Sequence, residues 1–147
     1  MRELLTRALP GIVILTALFP AQLSRAQMDA SAPLLILSVG QAGMDIPRSA
    51  VAAMEISESG GITDIFLRLL PAAAADMAEL TGNSIGERME VRACGSVMME
   101  AVVRDRIGSG TIYLHGTTAV RAEALRALWH GRASCDTLDP EVFEHAK

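Results

Sequence analysis

Residues 79–116 constrain the fold more than any other stretch of the chain, and they read ELTGNSIGERMEVRACGSVMMEAVVRDRIGSGTIYLHG. Apolar and polar residues alternate around Met89 and Val91, and glycines interrupt the stretch at short intervals. Such alternation is typical of strands with one buried face, and glycines at this spacing are typical of tight turns. The stretch therefore predicts the end of a helix followed by a meander of short strands.

The first 26 residues have the pattern of a secretory signal peptide. Arg2 and Arg7 give the segment a positive start, and residues 8–21 form an apolar core. Small residues at positions 24 and 26 suit cleavage after Ala26. The apolar core is shorter than the roughly 20 residues that a membrane-spanning helix needs. We therefore expect export to the periplasm, with an uncleaved N-terminal anchor in the inner membrane as the alternative.

The remainder of the chain is expected to form one domain with short ends. The expected parts are a signal peptide over residues 1–26, a linker over 27–33, a folded domain over 34–135 and a C-terminal tail over 136–147. A domain of this length can bury a hydrophobic core of its own. Within the tail, Val142 and Phe143 are apolar residues that we expect to dock back. No segment after the signal peptide is apolar over the length that a bilayer requires.

The charge of the chain argues against two classes of partner. There are 13 basic and 17 acidic residues, which give a formal net charge of −4 at pH 7. Three arginines and only one acidic residue lie in the expected signal peptide, so the remainder is more acidic still. An acidic chain without basic clusters does not suit nucleic acid or an anionic membrane surface. We therefore expect neither as a partner.

The first half of the domain is predicted to hold three strands and a helix. The predicted strands cover residues 34–39, 50–57 and 62–70, and residues 40–48 are predicted to be a loop because of their glycines and proline. Pro71 suits the first turn of a helix, where its missing N–H costs nothing. Gly82 and Asn83 are expected to stop this helix by adopting left-handed backbone angles.

The second half is predicted to hold more strands and a last helix. Strands are expected over residues 87–93, 97–103 and 111–115, with a hairpin turn at residues 108–110. Thr118 suits the N-cap of the last helix and Gly131 its C-terminal stop. Its predicted apolar stripe is Val120, Ala124, Ala127 and Leu128. This order of elements predicts an α+β fold, with a mainly antiparallel sheet and two helices packed on one face.

Taken in order, these elements resemble the head subdomain of the first periplasmic domain of SecD and SecF, auxiliary subunits of the bacterial protein-export channel. The similarity covers residues 33–131 and rests on Leu80, Thr81, Asn83, Gly86, Met89, Val91, Val102, Val103, Gly108, Gly110, Gly116, Ala124, Leu125, Leu128 and Gly131. The resemblance implies a stand-alone exported module that contacts polypeptides or a protein of the export machinery. Because no segment after residue 26 has the pattern of a membrane span, we expect this module to work without the membrane helices that couple SecD to the proton gradient. The alternative is a structural accessory domain of a cell-envelope complex with one stable partner.

Two cysteines, Cys94 and Cys135, are the only ones in the chain. An even number of cysteines in an oxidising compartment favours a disulfide. The bond would tie the turn at residues 94–96 to the end of the last helix, with two unpaired thiols as the alternative.

No constellation of catalytic residues is visible in the sequence. His115, His130 and His145 are widely spaced, and no helical or strand spacing brings them together with other metal ligands. There is no G-x-S-x-G motif, and no G-K-[ST] follows the glycines at 108 and 110. Trp129 is expected to cap the core, with a ligand-stacking role as the alternative. We therefore expect no catalytic, cofactor-binding or metal-binding residues and a non-enzymatic function.

Overall fold

The computed structural model describes residues 32–143 as two antiparallel sheets and two α-helices. The expected signal peptide and residues 144–147 lie outside the described residues, as does most of the expected linker. The elements are β1 (Pro33–Val39), β2 (Ala42–Pro47), β3 (Val51–Ser59), β4 (Ile62–Leu69), α1 (Pro71–Gly82), β5 (Arg88–Ala93), β6 (Ser96–Val102), β7 (Thr111–Thr117) and α2 (Ala119–Trp129). Short 3-10 turns follow β2, at Arg48–Ala50, and α2, at Pro140–Val142.

The strands form two sheets rather than one. Sheet A has the order β2-β1-β5-β6, sheet B has the order β3-β4-β7, and every pair is antiparallel. Helix α1 contacts β2 and β4, and α2 contacts β1, β3 and β4, so each helix packs against both sheets. The predicted α+β class with antiparallel pairing is confirmed, and the division into two sheets is an addition to it.

The core follows the predicted alternation. In β4, Ile65, Leu67 and Leu69 are buried, and in β5, Met89 and Val91 are buried. Residues with a period of two share one face of a strand, so each sheet turns its apolar face inward. Within residues 32–143, no helix is both long and apolar enough to cross a membrane.

The prediction of a loop over residues 40–48 is wrong, because Ala42–Pro47 forms the edge strand β2. Gly40 has φ +59°, and the turn that it makes pairs Val39 with Ala42. Gly43 is needed inside the strand, because a Cβ there would lie 2.9 Å from the Leu37 carbonyl oxygen. Glycine and proline are tolerated in edge strands, so their presence in this stretch concealed a strand.

Helix α1 ends at Gly82 as predicted, but the expected left-handed stop is wrong. Asn83 has φ −85°, and the first left-handed residue after the helix is Gly86, with φ +92°. The chain instead continues in a right-handed turn, in which the Asn83 N–H donates to the Glu79 carbonyl at 3.0 Å. Gly86 then directs its own N–H to the Val103 carbonyl at 2.8 Å, which aligns the start of β5 with β6.

Residues 108–110 do not form the predicted hairpin turn, since β6 lies in sheet A and β7 in sheet B. They belong to a connection between the two sheets that is held by α1 and β4. The Ile107 N–H donates to Thr81 Oγ1 at 2.9 Å, and the Leu69 N–H donates to the Gly110 carbonyl at 2.8 Å. Turn glycines do not reveal which sheet the next strand joins. The sequence pattern therefore cannot distinguish a hairpin turn within one sheet from a connection between two sheets.

Both predicted ends of α2 are confirmed. Thr118 Oγ1 accepts the Arg121 N–H at 3.2 Å, which satisfies a donor of the first turn. Gly131 has φ +66°, and its N–H donates to the Leu128 carbonyl at 3.0 Å. The Arg132 N–H reaches the Ala127 carbonyl at 2.8 Å, so the helix closes in a Schellman motif.

The predicted apolar stripe of α2 is wrong at Val120, which is 64% exposed. The buried residues of the helix are Arg121, Ala122, Ala124, Leu125 and Leu128. The buried face is therefore turned by one residue from the prediction. Arg121 can occupy it because its Nε donates to the Val142 carbonyl and its Nη2 to the Phe143 carbonyl, both at 3.2 Å.

Two contacts attach the end of the described chain to the domain. Phe143 is buried, so the expected docking of the tail is present. The structure also joins Cys94, in the turn between β5 and β6, to Cys135 in a disulfide, as the sequence predicts, with the two Cα atoms 5.3 Å apart. The segment after α2 is thus fixed on one side by a covalent bond and on the other by a buried ring.

Candidate functional site

The outer face of sheet B carries two aromatic side chains in contact. Phe66 on β4 and Tyr113 on β7 are register partners, and their rings stack with centroids 4.6 Å apart and planes at 17°. Both are outward because Leu67 and Ile112 occupy the inward positions beside them. The exposed fractions of Phe66 and Tyr113 are 39% and 42%. Exposed aromatic groups that touch each other form a small contiguous patch, and we take this patch as the candidate contact surface.

A hydrogen-bonded group of polar side chains adjoins this stack. The Tyr113 hydroxyl donates to Asp64 Oδ2 at 2.9 Å. His115 Nδ1 lies 2.8 Å from Asp64 Oδ1 and 3.0 Å from the Tyr113 hydroxyl oxygen. The carboxylate therefore orients both rings along the outer face of β7.

A bulge in β7 completes this group. The β4–β7 register shifts between Thr63 and Ile65, which places one extra residue in β7 opposite Asp64. Gly116 has φ +71° at this point, and its N–H donates to Asp64 Oδ1 at 3.0 Å. Bulges of this kind re-aim neighbouring groups, and glycine suits the left-handed position. The glycine thus explains why a backbone donor reaches the carboxylate.

These hydrogen bonds shift two ionisation equilibria in opposite directions. The Gly116 N–H, with smaller contributions from Tyr113 and His115, holds the pKa of the Asp64 carboxyl below its ordinary value. The hydrogen bond to Asp64 raises the pKa of the Tyr113 hydroxyl, because ionising the hydroxyl would remove the proton that it donates, and the negative charge of Asp64 adds to this effect. Near neutral pH the group therefore holds an ionised carboxylate beside a neutral phenol.

His115 and His130, the two histidines among residues 32–143, lie in different parts of the domain. His115 joins Asp64 and Tyr113, whereas His130 ends α2 with its ring centroid 4.6 Å from that of Trp129. His145 lies outside the described residues. Trp129 itself is half-buried against the core, as expected for a core-capping residue. Among residues 32–143, no three His, Cys, Asp or Glu side chains are grouped so that they could hold a metal ion.

A methionine-lined cavity lies beside β7, between the two sheets. Its volume is about 200 Å³, and its walls are Leu37, Met77, Met89, Met99, Ile107, Thr111, Ile112 and Tyr113. The last strand of sheet A, β6, and the last strand of sheet B, β7, flank it. We use the term β7 surface for the Phe66–Tyr113 stack, its neighbours Asp64 and His115, this cavity and the edge of β7 that pairs with no further strand among residues 32–143.

A larger cavity of about 580 Å³ lies where the chain enters β1 and leaves α2. Arg48, Arg132 and Asp136 are among its lining residues, together with the turn at residues 133–137. The hydroxyl of Thr137, another lining residue, accepts the Ser134 N–H and donates to the Ser134 carbonyl, both at 2.9 Å. The Thr137 hydroxyl is therefore used within the turn, and the candidate site is assigned to the β7 surface instead.

Neither Phe66 nor Tyr113 stands out as a functional residue in the sequence. A signal is nevertheless present, since both occupy the positions that alternate with the buried residues of their strands. Their contact with each other depends on the pairing of β4 with β7, which are separated by a helix and two strands. The Cys94–Cys135 pair, which was predicted, lies in the disulfide and does not line the β7 surface.

Comparison with known proteins shows which structures share this fold. A structure of SecDF, described as a membrane component that enhances protein export, matches with a TM-score of 0.51 and 22% identity over 63% of this chain. SecDF in its super-membrane-facing form matches with a TM-score of 0.50 and 22% identity, again over 63% of this chain. The match spans 42% of the first SecDF chain and 13% of the second. No protein-family model and no curated protein sequence matches the chain. The resemblance noted in the sequence is thus confirmed at the level of the fold.

Proposed function

We propose that this chain, which shares its fold with part of SecDF, is an exported, non-enzymatic binding module that contacts polypeptides during protein export. The observation that carries the proposal is the exposed Phe66–Tyr113 stack beside a methionine-lined cavity and the outer edge of β7, with which no strand of the described residues pairs. The proposed role is contact alone, and a proton-driven motor is no part of it.

Unfolded polypeptides offer apolar side chains, and the β7 surface has groups that suit them. Phe66 and Tyr113 present large, rigid ring faces that lose little conformational freedom on contact. The hydroxyl of Tyr113 already donates a hydrogen bond to Asp64. A partner can therefore cover the ring without leaving the hydroxyl buried and lacking a hydrogen bond. The stack is therefore suited to apolar contacts of low sequence specificity.

Unfolded polypeptides also offer unpaired backbone groups. The strand β7 is paired with β4 on one side and is the outermost strand of sheet B on the other. An edge strand presents alternate N–H and C=O groups that an extended chain can pair with, and this mode of binding reads the backbone rather than the sequence. A client segment that pairs with β7 would lie next to the Tyr113 ring and the methionine-lined cavity.

The cavity provides a place for one large apolar side chain of that segment. Three of its walls are formed by Met77, Met89 and Met99. Methionine is unbranched and polarisable, and surfaces that bind many different partners use it for that reason. The cavity therefore favours varied apolar side chains over one defined ligand.

The compartment of the proposed activity is outside the cytoplasm. A disulfide such as Cys94–Cys135 persists in oxidising compartments and is rare in the cytosol. The signal-like pattern of residues 1–26 supports the same compartment. We propose the periplasm as the site of action, where chains emerging from the export channel are still unfolded.

A binding experiment with a permanently unfolded client tests this proposal. The full chain is titrated into a fluorescently labelled, reduced and carboxymethylated polypeptide, and anisotropy reports the dissociation constant. Since exposed aromatic anchors dominate many interfaces, Phe66→Ser should weaken binding by about 5-fold or more. The matched control is Ile36→Ser on sheet A, whose side chain is exposed to a similar extent, 37% against 39% for Phe66.

Two results would overturn the proposal. One is no detectable binding of the unfolded client by the wild-type chain, and the other is an equal loss of binding for Phe66→Ser and Ile36→Ser. Size-exclusion of native extract adds a second readout. A fixed, large complex that survives loss of the Phe66 ring would favour the alternative, an accessory domain held by one stable partner.

A further inference from the structure

A groove of about 300 Å³ runs between the edge strand β2 and helix α1, on a part of the domain that shares no lining residue with the β7 surface. Its walls include Gly43 and Met44 from β2, and Asp76, Glu79, Leu80 and Asn83 from α1. The strand β2 pairs with β1 on one side and is the outermost strand of sheet A on the other. Within residues 32–143 no strand pairs with this outer edge, so the groove combines a helix wall with an unpaired strand edge.

The helix wall follows from the spacing of its residues. Asp76, Glu79, Leu80 and Asn83 are separated by three and four positions, so they lie along one side of α1. Met77, Ala78 and Thr81 occupy the buried face of the same helix. Leu80 and Met44 are half-buried against the core, whereas Asp76 and Glu79 are exposed. The groove thus has an apolar floor and two carboxylates at its rim.

The charge of this groove favours a cationic occupant. Its lining contains Asp76 and Glu79 and no basic residue. Glu79 lies in the last turn of α1, which has no basic residue of its own. A helix C-terminus carries about half a unit of negative charge, so a carboxylate there adds to the negative potential instead of offsetting it. Arg106 packs against Gly82 at the end of the helix but does not line the groove.

The strand edge favours a polypeptide over a free cation. A segment added to β2 would pair with its unpaired backbone groups, and every second side chain would face α1. An arginine or lysine at such a position can lay its aliphatic stem on Leu80 and place its charge near Asp76 and Glu79. An apolar residue two positions away would face Met44.

We propose that the β2–α1 groove binds an extended polypeptide segment that carries a basic side chain between apolar ones, added as a strand to β2. This inference adds a second contact site, with its own chemistry, to the proposed function. Its test substitutes residues that line the groove and no part of the methionine-lined cavity, so the two proposals can fail separately.

The test uses three labelled seven-residue peptides and fluorescence anisotropy with the full chain. In the first peptide, leucine, arginine and leucine alternate with threonine, so that these three side chains share one face of a strand. The second peptide has glutamate in place of arginine. The third keeps the arginine but has every backbone amide N-methylated, which removes the strand-pairing donors from both edges of the peptide. The first peptide should bind. Each of the other two should bind at least about 5-fold more weakly, because the second loses charge complementarity and the third loses strand pairing.

Variants of the chain locate the site. The double variant Asp76→Asn/Glu79→Gln should weaken binding of the arginine peptide by about 3- to 10-fold, the range expected for two exposed charge contacts. The control Glu58→Gln/Glu141→Gln removes the same charge from exposed positions that line neither the β2–α1 groove nor the β7 surface, and it should leave binding unchanged. Equal affinity for the arginine and glutamate peptides, or for the N-methylated and unmodified peptides, would overturn the proposal. Equal losses of binding in the two double variants would also overturn the proposal. They would show that binding depends on the net charge of the protein and not on the carboxylates of the groove.

Discussion

The rings of Phe66 and Tyr113 stack across the β4–β7 pair, with centroids 4.6 Å apart, on the solvent face of a three-stranded sheet. Asp64 holds the stack from one side, because its carboxylate accepts a hydrogen bond from the Tyr113 hydroxyl. Each ring therefore limits the motion of the other before any partner arrives. A surface that is already ordered in the free protein loses less entropy on binding, which favours a contact role for this face.

Because of Asp64, we expect the stability of the protein to change with pH in the acid range. Its folded pKa lies below the unfolded value of about 4, so the stabilisation is present above that pH and is lost as pH falls through the folded pKa. We expect the free energy of unfolding of the wild type to fall more steeply below pH 4 than that of Asp64→Asn. Urea titrations at a series of pH values measure this, and parallel profiles for the two proteins would show that the carboxylate contributes nothing.

Gly110 is predicted to tolerate alanine less well than Gly60. Both have positive φ, +66° and +60°, so alanine at either position costs about 1 kcal/mol in backbone strain. At position 110 the new Cβ would also lie 2.5 Å from the Ala74 Cβ, whereas position 60 is open. Gly110→Ala should therefore lose about 1 to 3 kcal/mol more than Gly60→Ala. Chemical denaturation of the two variants decides the point, and equal losses would contradict the close packing of this connection on α1.

The disulfide is expected to account for much of the stability of the domain. Cys94 and Cys135 are 41 positions apart, and closing a loop of this length stabilises the folded state by about 4 kcal/mol in the chain-entropy model. The double variant Cys94→Ala/Cys135→Ala should lose that amount in urea unfolding. Reducing agent should destabilise the wild type to a similar degree and leave the variant unchanged. A wild type insensitive to reduction under unfolding conditions would refute the bond.

Thr118 is predicted to stabilise α2 through its hydroxyl. Thr118 Oγ1 accepts the Arg121 N–H, and removing such a cap costs about 1 kcal/mol. Thr118→Ala should show this loss in thermal or chemical unfolding, and Thr118→Ser should retain most of the wild-type stability because it keeps the acceptor. If serine is as destabilising as alanine, packing of the threonine methyl group matters more than the cap.

Much of the fold could be predicted from local patterns. The period of two in β4 and β5, with Leu67 and Val91 inward, identified strands, and Thr118 and Gly131 marked the ends of α2. These signals are local, because they depend on which face of one element is buried or on which backbone groups one residue satisfies. They do not depend on where the rest of the chain lies.

What could not be predicted depends on pairing between distant strands. The alternation in β7 is visible in the sequence, but its pairing with β4 in sheet B is not, so the glycines at 108 and 110 predict a hairpin turn that the structure does not contain. The strand β2 was hidden because Gly43 and Pro47 are typical of loops, and only the close approach of Gly43 to Leu37 explains the glycine. The β7 surface and the β2–α1 groove both arise from such long-range neighbours, which is why the sequence alone identified neither.

Site-specific photo-crosslinking tests the central claim most directly. A benzophenone amino acid is placed at position 66 or, in the control, at position 36, where the native side chains have similar exposures of 39% and 37%. The full-length proteins are then irradiated with the fluorescently labelled, unfolded, carboxymethylated client. We predict a crosslinked product from position 66 that unlabelled client suppresses, and little product from position 36. Equal crosslinking from the two positions, or none from position 66, would contradict the account.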